Sequence, residues 1–148
     1  MRLTTQSSQL TTHNSQLQKN MDTLKPGLTY TSSLDVTEDK LALHVGSGDL
    51  PVFATPAMMA LMENAAMMAV SAHLPEGCTT VGSEISSTHL RPTVLGGKVS
   101  ATAELVAVEG RKLDFTVQAQ DADGNLLGKG THTRYVVDRL RFMEKLKK

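Results

Sequence analysis

Thr55-Pro56-Ala57-Met58-Met59-Ala60-Leu61-Met62-Glu63-Asn64-Ala65-Ala66-Met67-Met68-Ala69-Val70 is the stretch that decides the fold. Ala, Met and Leu are strong helix formers. Thr55 is a favoured N-cap, and Pro56 suits the first helical position, where no N–H is required. Pro75 to Gly77 end the run, so the spacing predicts one helix over Thr55–His73. It is apolar nearly all round, and such a helix must be buried. What buries it lies downstream, where the period changes to two. Thr79 to Leu90 reads as a strand. Val99, Ala101, Ala103, Leu105 and Ala107 alternate with polar residues, as do Leu113, Phe115, Val117 and Ala119. Glu109-Gly110 and Asp123-Gly124-Asn125 are turns, and Leu126 to Val137 is the last strand. Upstream, Leu28 to Val36 reads as a short strand and Leu41 to Val45 as a second. Long strands joined by tight hairpins make an antiparallel sheet. The expected fold is α+β, with one long central helix wrapped by a curved antiparallel sheet of about five strands. Such a sheet has open edges, which edge-to-edge dimerisation would cover.

Composition excludes several classes. The chain has 148 residues, one domain's length, with 15 basic and 15 acidic residues. That balance gives no broad positive field, so nucleic acid is not an expected partner. Aromatics are 3% of the chain, too few for a base-stacking platform. No apolar run approaches the ~18 residues of a membrane span, and the N-terminus has no secretory h-region. The single Cys78 cannot form an internal disulfide, and no Cys/His cluster has zinc spacing. These features point to the cytoplasm, with no metal and no membrane. Residues 1–22 are read as a disordered extension rich in Ser, Thr and Gln, with a crude repeat in Ser8-Gln9-Leu10 and Ser15-Gln16-Leu17. Residues 23–148 are read as the domain. Arg139 to Lys148 is expected as a short basic surface helix.

Four residues are candidates for chemistry. Glu63 is a carboxylate inside an apolar helix; it either marks a solvated stripe or acts as base or nucleophile in a cleft. Thr55 lies eight residues earlier, only ~80° away around the axis and ~12 Å along it, so both can border one groove. Taken alone Thr55 reads first as a cap, and the two roles do not exclude each other. His89 stands near the end of a strand, with a titration range suited to acid–base work, or as a structural histidine. Gly82 interrupts a β-like run, Thr79-Thr80-Val81-Gly82-Ser83, as a bend or as an exposed N–H for an oxyanion. His44, His73 and His132 read as structural or surface residues.

Two patterns carry a resemblance. His89-Leu90-Arg91-Pro92, Gly97-Lys98-Val99, Gly110-Arg111, Asp123-Gly124 and Gly130 are similar to the general layout of hotdog thioesterases. Val52-Phe53-Ala54-Thr55, Leu61-Met62-Glu63, Gly82, His89, Val106 to Arg111 and Gly130-Thr131-His132-x-Arg134 resemble the fluoroacetyl-CoA thioesterase family of hotdog enzymes, over roughly Leu24 to Lys145. That resemblance implies a catalytic Thr, Glu and His at Thr55, Glu63 and His89. It also implies a glycine N–H on the thioester oxygen at Gly82 and an arginine near the acyl-CoA site at Arg134. Gly46 to Pro51 lacks the aromatics that line the family's lid, which points to an acyl-CoA thioesterase without fluoroacetyl selectivity.

The expected activity is hydrolysis of an acyl-CoA thioester, with no cofactor beyond the coenzyme A of the substrate. The expected assembly is a homodimer or a dimer of dimers. The alternatives are a non-catalytic acyl-CoA binding or sensing protein and a purely structural dimer. A hydratase would pair Asp with His near the helix start, and no Asp-x₄-His pattern adjoins Thr55. Arg91, Arg111, Lys112 and Arg134 are candidates for the coenzyme A phosphates. The eight methionines suggest a pliable acyl pocket.

Overall fold

The computed structural model describes residues 22–147. In chain order it contains β1 (Thr29–Asp35), a 3₁₀ turn (Glu38–Lys40), α1 (Ala42–Val45) and α2 (Thr55–Ser71), followed by β2 (Cys78–Ser87), β3 (Lys98–Glu109), β4 (Lys112–Asp121), β5 (Leu126–Asp138) and α3 (Arg139–Lys145). The five strands form one antiparallel sheet in the order β1-β3-β4-β5-β2. This is the curled sheet around a long helix that the residue pattern anticipates. The extension read over 1–22 lies outside the described residues, Asp22 apart.

Small side chains let the sheet close on the helix. The buried side of α2 presents Met58, Leu61, Met62, Ala65, Ala66, Ala69 and Val70. Facing them are Val99, Ala101, Ala103 and Leu105 of β3, with Leu113, Phe115, Val117 and Ala119 of β4. Alanines on both surfaces bring backbones close, and the longer side chains fill the flanks. Each fully buried Met or Leu contributes roughly 1.5–3 kcal/mol. Met58 and Met62 are fully buried core residues.

Two expectations change. Leu41 to Val45 is not a strand. Ala42–Val45 is one helical turn closed by Gly46 at φ 89°, and only Leu41 makes an isolated bridge, to Phe53. Its burial does not alternate: Leu41 and Ala42 are buried and the next three residues are exposed. Thr55 is also not the cap of α2. Ala54 holds that position, with no side-chain cap hydrogen bond, and Thr55 is already helical. A capping hydroxyl must come from the last non-helical residue, so the Thr55 hydroxyl is free to point elsewhere.

Candidate active site

The Thr55 hydroxyl points to a histidine: Thr55 Oγ1 and His89 Nδ1 are 2.8 Å apart. Local structure brings them together. Beyond β2 the chain stays beside the start of β5, through Thr88 N–H to the Lys129 carbonyl at 3.0 Å and Leu90 N–H to the Leu127 carbonyl at 2.6 Å. Gly128 permits this, since a Cβ there would lie 2.3 Å from the Thr88 carbonyl oxygen. His89 thereby reaches the N-terminus of α2, where Phe53 packs edge-on to its ring at 6.3 Å between centroids. Burial holds the His89 imidazole below the ordinary histidine value, opposed by a backbone contact at Arg91. The ring is therefore neutral at pH 7, the state in which it can accept a proton. A cavity of about 280 Å³ opens here, lined among others by Val52, Phe53, Thr55, His89, Leu90 and Pro92. Its walls mix aliphatic and aromatic side chains with Ser47, Thr55, His89 and Arg91, and methionine is not among them.

A second polar group forms two turns further along α2. The half-exposed Glu63 carboxylate sits 3.4 Å from Arg134 Nη1 and 3.8 Å from His132 Nε2. Gly82 faces it across β2, and a Cβ at Gly82 would lie 2.6 Å from Glu63 Oε2. Gly82 thus leaves room for a carboxylate. The β2–β5 register slips between Gly82 and Glu84, the bend anticipated at this glycine.

The candidate residues therefore fall into two sets within one chain. Thr55 pairs with His89. Glu63 joins Gly82 and Arg134, about 12 Å further along the helix axis. Arg134 is buried, and its hydrogen bonds go inward. Nε gives to Thr80 Oγ1 at 2.8 Å and Nη2 to the Thr80 carbonyl at 3.0 Å, while Nη1 points to His132 Nε2 at 3.1 Å. It lies beneath the carboxylate, away from a surface where a coenzyme A phosphate would arrive. His132, read from the sequence as structural or surface, is not a surface residue. It is 2% exposed and belongs to the Glu63 set. The signal for it is the alternation of β5. Counting back by two from the buried Val136 puts Arg134 and His132 on the inner face.

Among the described residues no group of three or more His, Cys, Asp and Glu side chains could hold a metal ion. No helix there is long and apolar enough to cross a membrane.

Comparison with known proteins bears on this arrangement. Residues 36–140 match the family model described as fluoroacetyl-CoA-specific thioesterase. A fluoroacetyl-CoA thioesterase of Streptantibioticus cattleyicolor is 41% identical over 96 residues, covering 65% of this chain and 68% of that protein. A solved structure of a single-substitution mutant of the fluoroacetyl-CoA thioesterase in complex with acetyl-CoA aligns at TM-score 0.79 with 33% identity, over 84% of this chain and 97% of that one. A thioesterase-superfamily protein of Thermus thermophilus, 24% identical, shares the fold at TM-score 0.79 over 86% and 93% of the two chains.

Proposed function

The chain belongs to the fluoroacetyl-CoA-specific thioesterase family and is an acyl-CoA thioesterase with the hotdog fold, and we propose that Thr55, His89 and Glu63 carry its hydrolysis, with Gly82 and Arg134 shaping the carboxylate's surroundings. The observation that carries this reading is the 2.8 Å Thr55–His89 hydrogen bond at an uncapped helix N-terminus beside a cavity. A hydroxyl within reach of a neutral imidazole is the arrangement of an activated nucleophile. The free N–H groups and dipole of α2 favour a developing oxyanion.

In the first step Thr55 Oγ bonds to the thioester carbon and the C–S bond breaks. The Thr55 proton passes through His89 to the coenzyme A sulfur. In the second, Glu63 takes a proton from water, the water oxygen bonds to the acyl carbon, and the ester bond to Thr55 breaks with the proton returned to Oγ. No cofactor is required, and coenzyme A enters as part of the substrate. Val52, Phe53, Leu90 and Pro92 offer an acyl group apolar contact, and Arg91 on the same cavity offers a cation to a coenzyme A phosphate.

Thr55 and Glu63 are too far apart in one protomer to act on one carbon, and a homodimer resolves this. β2 is a ten-residue strand at the sheet edge, a template for pairing with a second copy. Antiparallel pairing of two β2 strands about a two-fold axis sets the segment leading to His89 of one protomer beside the Gly82 half of its partner. The Thr55–His89 pair of one protomer would then meet Glu63 of the other. A dimer of such dimers leaves this site unchanged. The unpaired Cys78 agrees with action in the cytoplasm.

Release of free thiol from a panel of acyl-CoAs of increasing chain length tests the reading. Wild type turns over short acyl groups, and Glu63→Gln accumulates a covalent acyl adduct on Thr55 detectable by mass. Binding of every panel member without turnover would replace the enzyme with an acyl-CoA binding protein. Full activity in Glu63→Gln would remove the carboxylate from the chemistry.

A further inference from the structure

The Glu63 carboxylate is only as well placed as the guanidinium beneath it, and that guanidinium is held by groups that take no part in the proposed steps. His132 is one. Its Nδ1 lies 2.7 Å from the Glu84 carbonyl oxygen. A carbonyl oxygen only accepts, so Nδ1 carries the hydrogen. Nε2 is left with its lone pair, 3.1 Å from Arg134 Nη1, a group that only donates. The tautomer is thus fixed from β2, at the position where that strand slips register against β5. Thr80 completes the hold, its hydroxyl and carbonyl taking Arg134 Nε and Nη2.

A leucine would fill this space against the Phe115 ring, 6.1 Å away, without the cost of burying an imidazole. What histidine adds is an acceptor aimed at Nη1. We infer that His132 is a positioning residue for the hydrolysis: its Nε2 lone pair holds the Arg134 guanidinium in the orientation that fixes the Glu63 carboxylate against Gly82. This rests on Glu63 acting in the reaction. The groups facing His132 are Arg134 on its own strand, Glu63 from α2, the Glu84 carbonyl from β2 and the Phe115 ring from β4. Burial is the largest influence on the ring and, with the Arg134 charge, holds it below the ordinary histidine value, against the Glu84 carbonyl and Glu63. It is neutral at pH 7, as an acceptor must be.

Two variants separate this role from packing. In His132→Gln the side-chain oxygen takes the place of Nε2 and still accepts from Arg134. In His132→Asn the amide N–H takes the place of Nδ1, keeping the Glu84 contact and losing the acceptor. Steady-state kinetics on the most active acyl-CoA of the panel should show His132→Gln within about threefold of wild-type kcat. His132→Asn should lose about 10- to 100-fold in kcat with KM changed by less than about threefold, since a misplaced reacting group costs rate more than binding. In a Glu63→Gln background His132→Asn should change kcat by less than about twofold. If either His132 variant fails to fold, Thr80→Val and Thr80→Ser give the same contrast through Nε, with loss in Val and rescue in Ser. Equal losses in Gln and Asn, or a loss confined to KM, overturn the inference while leaving Glu63 in place. An active Glu63→Gln enzyme overturns both.

Discussion

Gly82→Ala is the perturbation whose effect follows most directly from the geometry of the site. Gly82 does not have a left-handed φ, so alanine fits its backbone without strain. Its N–H is unchanged. The added Cβ would lie 2.6 Å from Glu63 Oε2, 3.2 Å from His132 Cε1 and 3.3 Å from Arg134 Nη1. The carboxylate must retreat by about 0.8 Å to reach ordinary contact at 3.4 Å. It can do so because it is 41% exposed, whereas Arg134 is pinned at Thr80. A displacement near 1 Å costs on the order of 100-fold in rate, about 2.7 kcal/mol of barrier. Alanine in a strand is better than glycine by roughly 0.5–1 kcal/mol, and the tight contacts to His132 and Arg134 oppose that gain. Thiol release under saturating acyl-CoA should therefore fall about 100-fold, with the thermal midpoint little changed. A variant within threefold of wild-type kcat refutes the reasoning: Gly82 would then act through its N–H alone, which alanine preserves. A rate loss accompanied by a clear drop in melting temperature also refutes it, because the strand itself would have failed.

Three further outcomes are expected. Differently tagged Thr55→Ala and Glu63→Gln chains, each inactive alone, should form heterodimers with about half of wild-type activity, because one of two sites is intact when the halves come from different protomers; no recovery would place the whole site within one chain. Burial holds both His89 and His132 below the ordinary value of 6.5, so the unfolded chain binds protons there first. Stability should be flat above pH 6.5 and decline below it toward the folded-state values, read from urea midpoints, with kcat falling over the same acidic range; midpoints that rise on acidification would contradict the buried neutral rings. Met62→Ala removes a fully buried side chain and should cost about 2–5 kcal/mol, whereas the same change at the exposed Met143 should be within about 0.5 kcal/mol.

How far the site was legible in the sequence follows from what fixes each residue. The α2 helix and the alternating strands β3 and β4 announce themselves, because burial on one side imposes a period and turns need Gly or Asp. Thr55, Glu63, Gly82 and His89 stand out as interruptions of those patterns. Their pairing does not, because partners meet across the sheet by register. The distance from Glu63 to Arg134 is 71 residues in sequence and 3.4 Å in space. The role of Thr55 was hidden by a shift of one position: one residue earlier it would cap the helix, and one residue inside it turns to His89.

β5 shows most clearly what an alternating pattern can conceal. Gly130, His132, Arg134 and Val136 occupy successive inward positions, but only Val136 is apolar, so a search for hydrophobic alternation misses the run. Yet an arginine and a histidine two apart on a strand anchored by a buried valine must both face the core. Buried charges persist when they are paired, and the nearest available carboxylate on the enclosed helix is Glu63. Polar residues at inward positions of a strand thus carry information that apolar ones do not. They demand partners, and here those partners are the carboxylate and the groups that hold it.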